Sequence, residues 1–135
     1  LRDKGFEYGA TTGRPRRCGW IDLVALKYAI MISGVNALIV TKLDVLTGMK
    51  TIRAAVAYEI DGKKTDRYPI DAARMEKAIP VFQDFDGWEE DMTACQKLEQ
   101  LPEKALQYLA FLEKYLGVPI RILSVGPDRR QIIHR

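Results

Sequence analysis

Residues 11–17 have the sequence TTGRPRR, which places three arginines and two threonines around a glycine and a proline. A guanidinium group binds a carboxylate or a phosphate through two parallel hydrogen bonds. Arg14 and Arg16 are two residues apart, so an extended backbone would point both to one side, with Arg17 directed elsewhere. Because Gly13 lets the loop fold over a small anion, the segment is predicted to clamp an anionic substrate. A solvated surface turn is the alternative interpretation.

Polar residues follow two apolar runs, at 37–40 and 119–123, that are expected to be strands. In open α/β sheets, ligands bind at the carboxyl ends of strands. Asp44 offers two acceptor oxygens that match the adjacent ring N1–H and amine donors of guanine. Lys42 is expected on the same side as Asp44, with its ammonium free for a ribose oxygen or a carbonyl.

The second loop, residues 124–126, is expected to present backbone N–H groups to the carbonyl of the same base. Gly126 would allow that close approach because it has no side chain. The two loops together predict a guanine site at one edge of a sheet. The alternative for the Lys42–Asp44 pair alone is an ordinary surface pair where a strand ends.

Composition limits the class of protein. The chain has 135 residues, 47% of them hydrophobic, and a net charge of +3, so we expect one domain spanning residues 1–135 that binds neither nucleic acid nor membrane. The longest apolar stretch, 23–32, is interrupted by Lys27 and is too short to span a bilayer. Two cysteines, Cys18 and Cys95, do not suggest a disulfide framework, so we expect a soluble, cytoplasmic protein.

The sequence contains no recognisable catalytic apparatus. It has no GxxxxGK[ST] loop, no HExxH and no zinc-type cysteine spacing, and we expect no metal site in it. The only histidine, His134, is expected in a solvated, frayed tail. Asp22, Asp44 and Asp91 have no spacing that marks an acid/base pair. Trp20 and Trp88 are interpreted as core or core-rim residues.

The order of elements predicts an α/β layered sheet with flanking helices. The helix at 21–33 is expected to be largely buried and to end at Gly34. A central strand covered on both faces is predicted at 37–40. A stripe formed by Ala105, Leu109, Leu112 and Leu116 predicts a helix from Pro102 to Gly117. The remaining predictions are a hairpin turning at 61–62, a short helix at 71–78, and strands at 51–60, 64–68, 81–85, 119–125 and 131–135.

Four segments, EYGATTGRPRRCGWIDLVALKYA, VTKLDVLTG, VAYEIDGK and LPEKALQYLAFLEKYLGVPIRILSVGPDR, resemble the carboxy-terminal part of adenylosuccinate synthetases. The resemblance extends over nearly the entire chain. It implies a ligase reaction in which GTP phosphorylates the 6-oxygen of IMP and L-aspartate displaces that phosphate, with magnesium assisting.

The same resemblance implies a role for each loop. L-aspartate would be bound by Ala10, Thr11, Thr12, Gly13, Arg14, Pro15 and Arg16. Arg14 would also meet the ribose of IMP, and Arg16 would reach the GTP side. The guanine would be held by Lys42, Leu43, Asp44, Ser124, Val125 and Gly126.

The resemblance further implies that this chain is the carboxy-terminal region of a larger, P-loop-like α/β enzyme. The phosphate-binding loop, the catalytic groups and the Mg²⁺ ligands would lie upstream, so the chain alone is expected to be inactive. The complete enzyme would be a cytoplasmic homodimer. Two alternative functions remain: a guanine-nucleotide-binding module without ligase chemistry, and an interaction domain whose arginine loop binds acidic partners.

Overall fold

A computed structural model describes residues 1–135, which form three α-helices and two β-sheets. The helices are α1 (Leu23–Ser33), α2 (Ala72–Glu76) and α3 (Glu103–Leu116). The strands are β1 (Ile21–Asp22), β2 (Leu38–Val40), β3 (Thr51–Ile60), β4 (Lys63–Thr65), β5 (Ile79–Asp86), β6 (Ile120–Ser124) and β7 (Ile132–His134). None of the helices has the length and apolar character that crossing a membrane requires. The predicted α/β fold class is confirmed.

The first sheet is built around β3. This strand pairs in parallel with β1 and antiparallel with β4 and β5. The predicted hairpin between β3 and β4 is confirmed. Its turn residues, Asp61 and Gly62, have φ of 50° and 73°, which suits a two-residue turn that follows the twist of the strands. Strand β4 ends at Thr65 and is shorter than predicted.

The second sheet has the order β2-β6-β7, with β2 parallel and β7 antiparallel to β6. The prediction of a central strand at 37–40 is wrong, because β2 lies at the edge and Ile39 is 63% exposed. The apolar run of β2 is typical of a central strand, but β6 is the one strand of this chain that pairs with it. Parallel pairing aligns Val40 with Leu123, so the loops after β2 and β6 leave the same edge of the sheet.

The carboxy-terminal strand corrects another prediction. His134 belongs to β7 and is aligned with Ile122 of β6, so it lies in regular structure rather than in a frayed tail. Its side chain is exposed, as expected. Ladder hydrogen bonds hold the backbone here, which the position of His134 near the end of the sequence did not reveal.

The main core lies under α3. The predicted stripe is confirmed, with Tyr108 added to it, and the helix ends at Gly117 in a left-handed conformation. Trp88 is 1% exposed and its indole N–H donates to the Thr47 hydroxyl at 3.1 Å, so the polar edge of this core residue is satisfied. Trp20 packs partly buried against the same cluster.

Helix α1 is anchored at its start and exposed at its end. The Asp22 carboxylate accepts hydrogen bonds from the Ala25 N–H at 3.0 Å and from the Tyr58 hydroxyl at 2.5 Å. Gly34 ends the helix as predicted. Met31 and Ile32 are 69% and 62% exposed, so the prediction of a largely buried helix is wrong for the last turn. The helix packs on β3 and α3.

The bond between Tyr58 and Asp22 ties α1 to β3 and is expected to contribute to stability. Tyr58 is 2% exposed, and burial followed by the bond to Asp22 raises the pKa of its hydroxyl. Tyr58→Phe should lower the free energy of unfolding by about 1–2 kcal/mol, because the Asp22 oxygen loses a partner. Urea unfolding of the chain measures this. Tyr28→Phe is the matched control, since that ring stacks on Tyr68. An equal loss in both variants would contradict a role for the bond.

Candidate functional site

The arginine segment forms a hairpin, here called the arginine hairpin (residues 7–16). Tyr8 and Pro15 form an antiparallel bridge. The Gly9 N–H donates to the Arg14 carbonyl at 2.8 Å, and the Arg16 N–H donates to the Glu7 carbonyl at 2.9 Å. The tip, with Ala10, Thr11, Thr12 and Gly13, is largely exposed, and Gly13 has φ of 64°. Glycine suits this position because other residues rarely adopt a positive φ.

The two arginines of the hairpin differ in their contacts. Both flank Pro15, whose cross-strand bridge fits the extended backbone that would place them on one side. Arg16 Nη1 lies 3.3 Å from Glu7 Oε2, whereas Arg14 is exposed and takes part in none of the ion pairs. Arg14 is therefore the guanidinium of the hairpin that is free to receive an anion. Arg17 lines a cavity of about 300 Å³ together with Glu7 and Lys42.

The segment after β2 is not extended, which corrects the argument made from alternation. Lys42 has φ of 60°, and Leu43–Leu46 forms a 3-10 helix. The Lys42 ammonium donates to the Gly5 carbonyl at 2.7 Å and pairs with Glu7. It is therefore engaged by the protein rather than free for a ribose oxygen. A short stretch of sequence does not reveal that a non-glycine residue at a strand end adopts a left-handed backbone conformation.

The two residues that follow Lys42 differ in what they can offer a ligand. The Leu43 side chain is 1% exposed, so only its backbone is available. Asp44 is half-buried and its carboxylate belongs to none of the ion pairs in the chain. A partly desolvated, unpaired carboxylate is suited to accept hydrogen bonds from a ligand.

The loop after β6 is closed by its own contacts. The Val125 N–H donates to the Gln131 carbonyl at 3.0 Å, and the Ser124 hydroxyl donates to the Gly126 carbonyl at 3.0 Å. The prediction that Val125 offers its N–H to a base is therefore wrong for this conformation. Gly126 faces the Gln131 side chain, so its missing Cβ makes room for that side chain and not for a base.

Sequence reasoning missed Gln131, which shapes this loop. Its side-chain oxygen accepts from the Asp128 N–H at 2.9 Å, and its side-chain amide donates to the Thr93 carbonyl at 2.9 Å. No motif marks this glutamine, because one partner depends on the loop conformation and the other, Thr93, lies 38 residues away in the sequence. It contacts residues 124–126 through the bond from the Val125 N–H to its carbonyl and through the packing of its side chain on Gly126.

A methyl group at Gly126 should therefore disturb the loop. A Cβ there would lie 2.2 Å from Gln131 Oε1, well inside contact distance. Gly126→Ala is expected to cost about 1–3 kcal/mol of unfolding free energy through overpacking. Urea unfolding checks this, with Gly126→Ala also made in a Gln131→Ala background, where the cost should shrink. An unchanged cost in that background would show that Gln131 is not the obstacle.

Glu7 was also missed, and it joins the arginine hairpin to the segment after β2. Its carboxylate contacts Lys42 and Arg16, with 25% of its side chain exposed. The hydrogen bond from Lys42, followed by the Lys42 charge and the Arg16 contact, lowers the pKa of Glu7. The structure thus brings together two of the three predicted site segments through a carboxylate. The third, residues 124–126, adjoins the segment after β2 through the pairing of β2 with β6.

Two polar loops follow the carboxyl ends of neighbouring parallel strands, and the arginine hairpin is tied to one of them, so the chain is an α/β protein with a candidate ligand site at the sheet edge. The profile of one family, described as adenylosuccinate synthetase, matches residues 1–133. The chain belongs to the adenylosuccinate synthetase family.

Individual relatives agree with this assignment. The chain is 50% identical over 134 residues to an adenylosuccinate synthetase of Fusobacterium nucleatum, covering 99% of this chain and 32% of the relative. It is 52% identical over 135 residues to that of Phocaeicola vulgatus, covering 100% of this chain and 31% of the relative. A structure described as fully ligated adenylosuccinate synthetase from Plasmodium falciparum superposes with a TM-score of 0.93 at 40% identity, covering 99% of this chain and 32% of that one. The chain thus spans about a third of the length of these relatives.

Proposed function

We propose that this chain is the carboxy-terminal part of an adenylosuccinate synthetase and supplies its guanine and L-aspartate sites. In the complete reaction, GTP phosphorylates the 6-oxygen of IMP, and L-aspartate displaces that phosphate to give adenylosuccinate. One observation carries the proposal: β2 and β6 place their loops side by side, and the arginine hairpin is tied to the first of them. Family membership over residues 1–133 supports the same assignment.

The guanine is proposed to lie against the loops after β2 and β6. The unpaired Asp44 carboxylate accepts from the ring N1–H and the exocyclic amine. Lys42 contributes its aliphatic stem and backbone, since its ammonium already binds Gly5 and Glu7. Contacts through the backbone of Leu43 and through Ser124 and Gly126 complete the pocket.

L-aspartate is proposed to bind at the tip of the arginine hairpin, at residues 10–16. The Arg14 guanidinium belongs to none of the ion pairs in the chain and can bind a carboxylate through two parallel hydrogen bonds, while Thr11 and Thr12 add hydroxyl donors. Arg14 also meets the IMP ribose. Arg16 faces the GTP side, which fits its link through Glu7 to Lys42.

Magnesium is proposed to be held outside this chain. No group of three or more His, Cys, Asp or Glu side chains in the structure is arranged to bind a metal ion. We place the metal ligands, the phosphate-binding loop and the catalytic groups in the family's remaining length, and we propose a cytoplasmic homodimer for the complete enzyme.

A chimera tests this proposal. In it, the present chain replaces the matching third of the Fusobacterium nucleatum relative. The chimera should form adenylosuccinate from IMP, GTP and L-aspartate, whereas the chain alone and the relative without its matching third should not. A folded chimera that binds GTP without adenylosuccinate formation would favour the nucleotide-binding module instead.

A further inference from the structure

The Glu7 carboxylate is the most connected charged group of the candidate site. Oε2 lies 3.3 Å from Arg16 Nη1, and Oε1 contacts the Lys42 ammonium. The Glu7 backbone is fixed as well, since its N–H donates to Arg2 and its carbonyl accepts from Arg16, both at 2.9 Å. The carboxylate therefore projects from a held backbone toward two cations on two different segments.

We propose that Glu7 is a positioning residue that sets the geometry of both the arginine hairpin and the segment after β2, residues 42–46. The inference rests on the proposed function and deepens it. Without a carboxylate between them, the Lys42 and Arg16 charges would repel one another. Glu7 is 25% exposed and its partners Lys42 and Arg16 are 49% and 57% exposed, so water screens both contacts in part.

The contact between Glu7 and Lys42 also affects the position of Asp44, through the backbone that joins the two residues. Lys42 has φ of 60°, a conformation that a non-glycine residue holds only when its surroundings enforce it. Two contacts enforce it here, from Glu7 and from the Gly5 carbonyl at 2.7 Å. Lys42 is also the residue that starts the 3-10 helix containing Asp44. The direction of the Asp44 carboxylate therefore depends on the position of Lys42.

The contact between Glu7 and Arg16 is expected to affect the binding of L-aspartate as well. Arg16 pairs through its N–H with the Glu7 carbonyl and through its side chain with the Glu7 carboxylate. This double attachment fixes one strand of the arginine hairpin relative to the other, and Arg14 is two residues away on the same strand. Loss of the Glu7 carboxylate should therefore weaken the binding of both GTP and L-aspartate, whereas a residue of one loop alone would affect mainly one substrate.

Steady-state kinetics of Glu7→Gln and Glu7→Ala in the chimera test the inference. In Glu7→Ala, the KM for GTP and the KM for L-aspartate should each rise about tenfold, the size of one lost charge-assisted hydrogen bond. Glu7→Gln keeps the shape and should give a smaller rise in both. Glu76→Gln, on the exposed face of α2, is the matched control and should leave both KM values and the melting temperature unchanged.

A double-mutant cycle separates positioning from a general loss of stability. Lys42→Met should raise the KM for GTP less in the Glu7→Ala background than in the wild-type background, because the contact is already lost. Wild-type KM values in both Glu7 variants, or fully additive effects in the cycle, would overturn the inference while an active chimera upholds the proposed function. A chimera without any turnover would overturn both.

Discussion

In the chimera, Asp44→Asn is expected to raise the KM for GTP about a hundredfold, through loss of two charge-assisted hydrogen bonds worth about 1.5–3 kcal/mol each, partly offset by those the amide oxygen retains. The same variant should gain use of xanthosine triphosphate. Xanthine carries a 2-oxo group where guanine carries an amine, and the asparagine amide can donate to it. The half-buried position of the residue strengthens this discrimination, because an unpaired donor or acceptor is costly away from water.

The ratio of kcat/KM for the two nucleotides measures this switch. Asp66→Asn, an exposed carboxylate after β4, is the matched control and should leave the ratio unchanged. Undiminished GTP use by Asp44→Asn would refute the guanine assignment. A fall in GTP use with no gain for xanthosine triphosphate would indicate that Asp44 supports the loop without contacting the base edge.

Arg14→Leu should raise the KM for L-aspartate by about a hundredfold or more, because a carboxylate loses two charge-assisted hydrogen bonds of about 1.5–3 kcal/mol each. The KM for GTP should change much less, since Arg14 forms no hydrogen bond or ion pair with Glu7 or with the segment after β2. Initial rates at varied L-aspartate and varied GTP provide the comparison.

Two further variants provide the comparison needed to interpret the Arg14→Leu result. Arg74→Leu, an exposed arginine in α2, controls for the loss of one positive charge and should alter neither KM. Arg16→Leu should raise the KM for both substrates, because Arg16 is linked through Glu7 to Lys42. Equal effects of Arg14→Leu on L-aspartate and GTP would contradict its assignment to the aspartate clamp.

Local patterns in the sequence predicted the elements that depend on local physics. Strand β3 and its turn at Asp61 and Gly62 follow from alternation and turn chemistry, and α3 follows from its apolar stripe between Pro102 and Gly117. These features need only a few neighbouring residues to be specified. The sequence also predicted that the loops after β2 and β6 share a sheet edge, which the parallel pairing confirms.

The sequence predicted the arrangement of the strands less well than the individual elements. Whether β2 is central or at an edge depends on which strands pair with it, and an apolar run of three residues carries no such information. The same limit explains the exposed end of α1, because its apolar residues do not say whether an element of this chain covers them. The division into two sheets is likewise a property of long-range pairing.

At the site, residue types were more predictable than their contacts. Arg14 and Asp44 are unpaired, as a ligand-binding role requires, and their types suggested that role. The engagement of Lys42 by Glu7, over a separation of 35 residues, could not be read from spacing. The contact of Gly126 with Gln131 explains why a glycine predicted to approach a ligand instead accommodates a side chain.

A crystal structure of the chimera with GDP and L-aspartate bound tests the central assignment most directly. The account predicts that the Asp44 carboxylate lies within hydrogen-bond distance of guanine N1 and its amine, with an L-aspartate carboxylate on Arg14. A guanine ring bound elsewhere, or an L-aspartate that contacts no residue between 10 and 16, would contradict it.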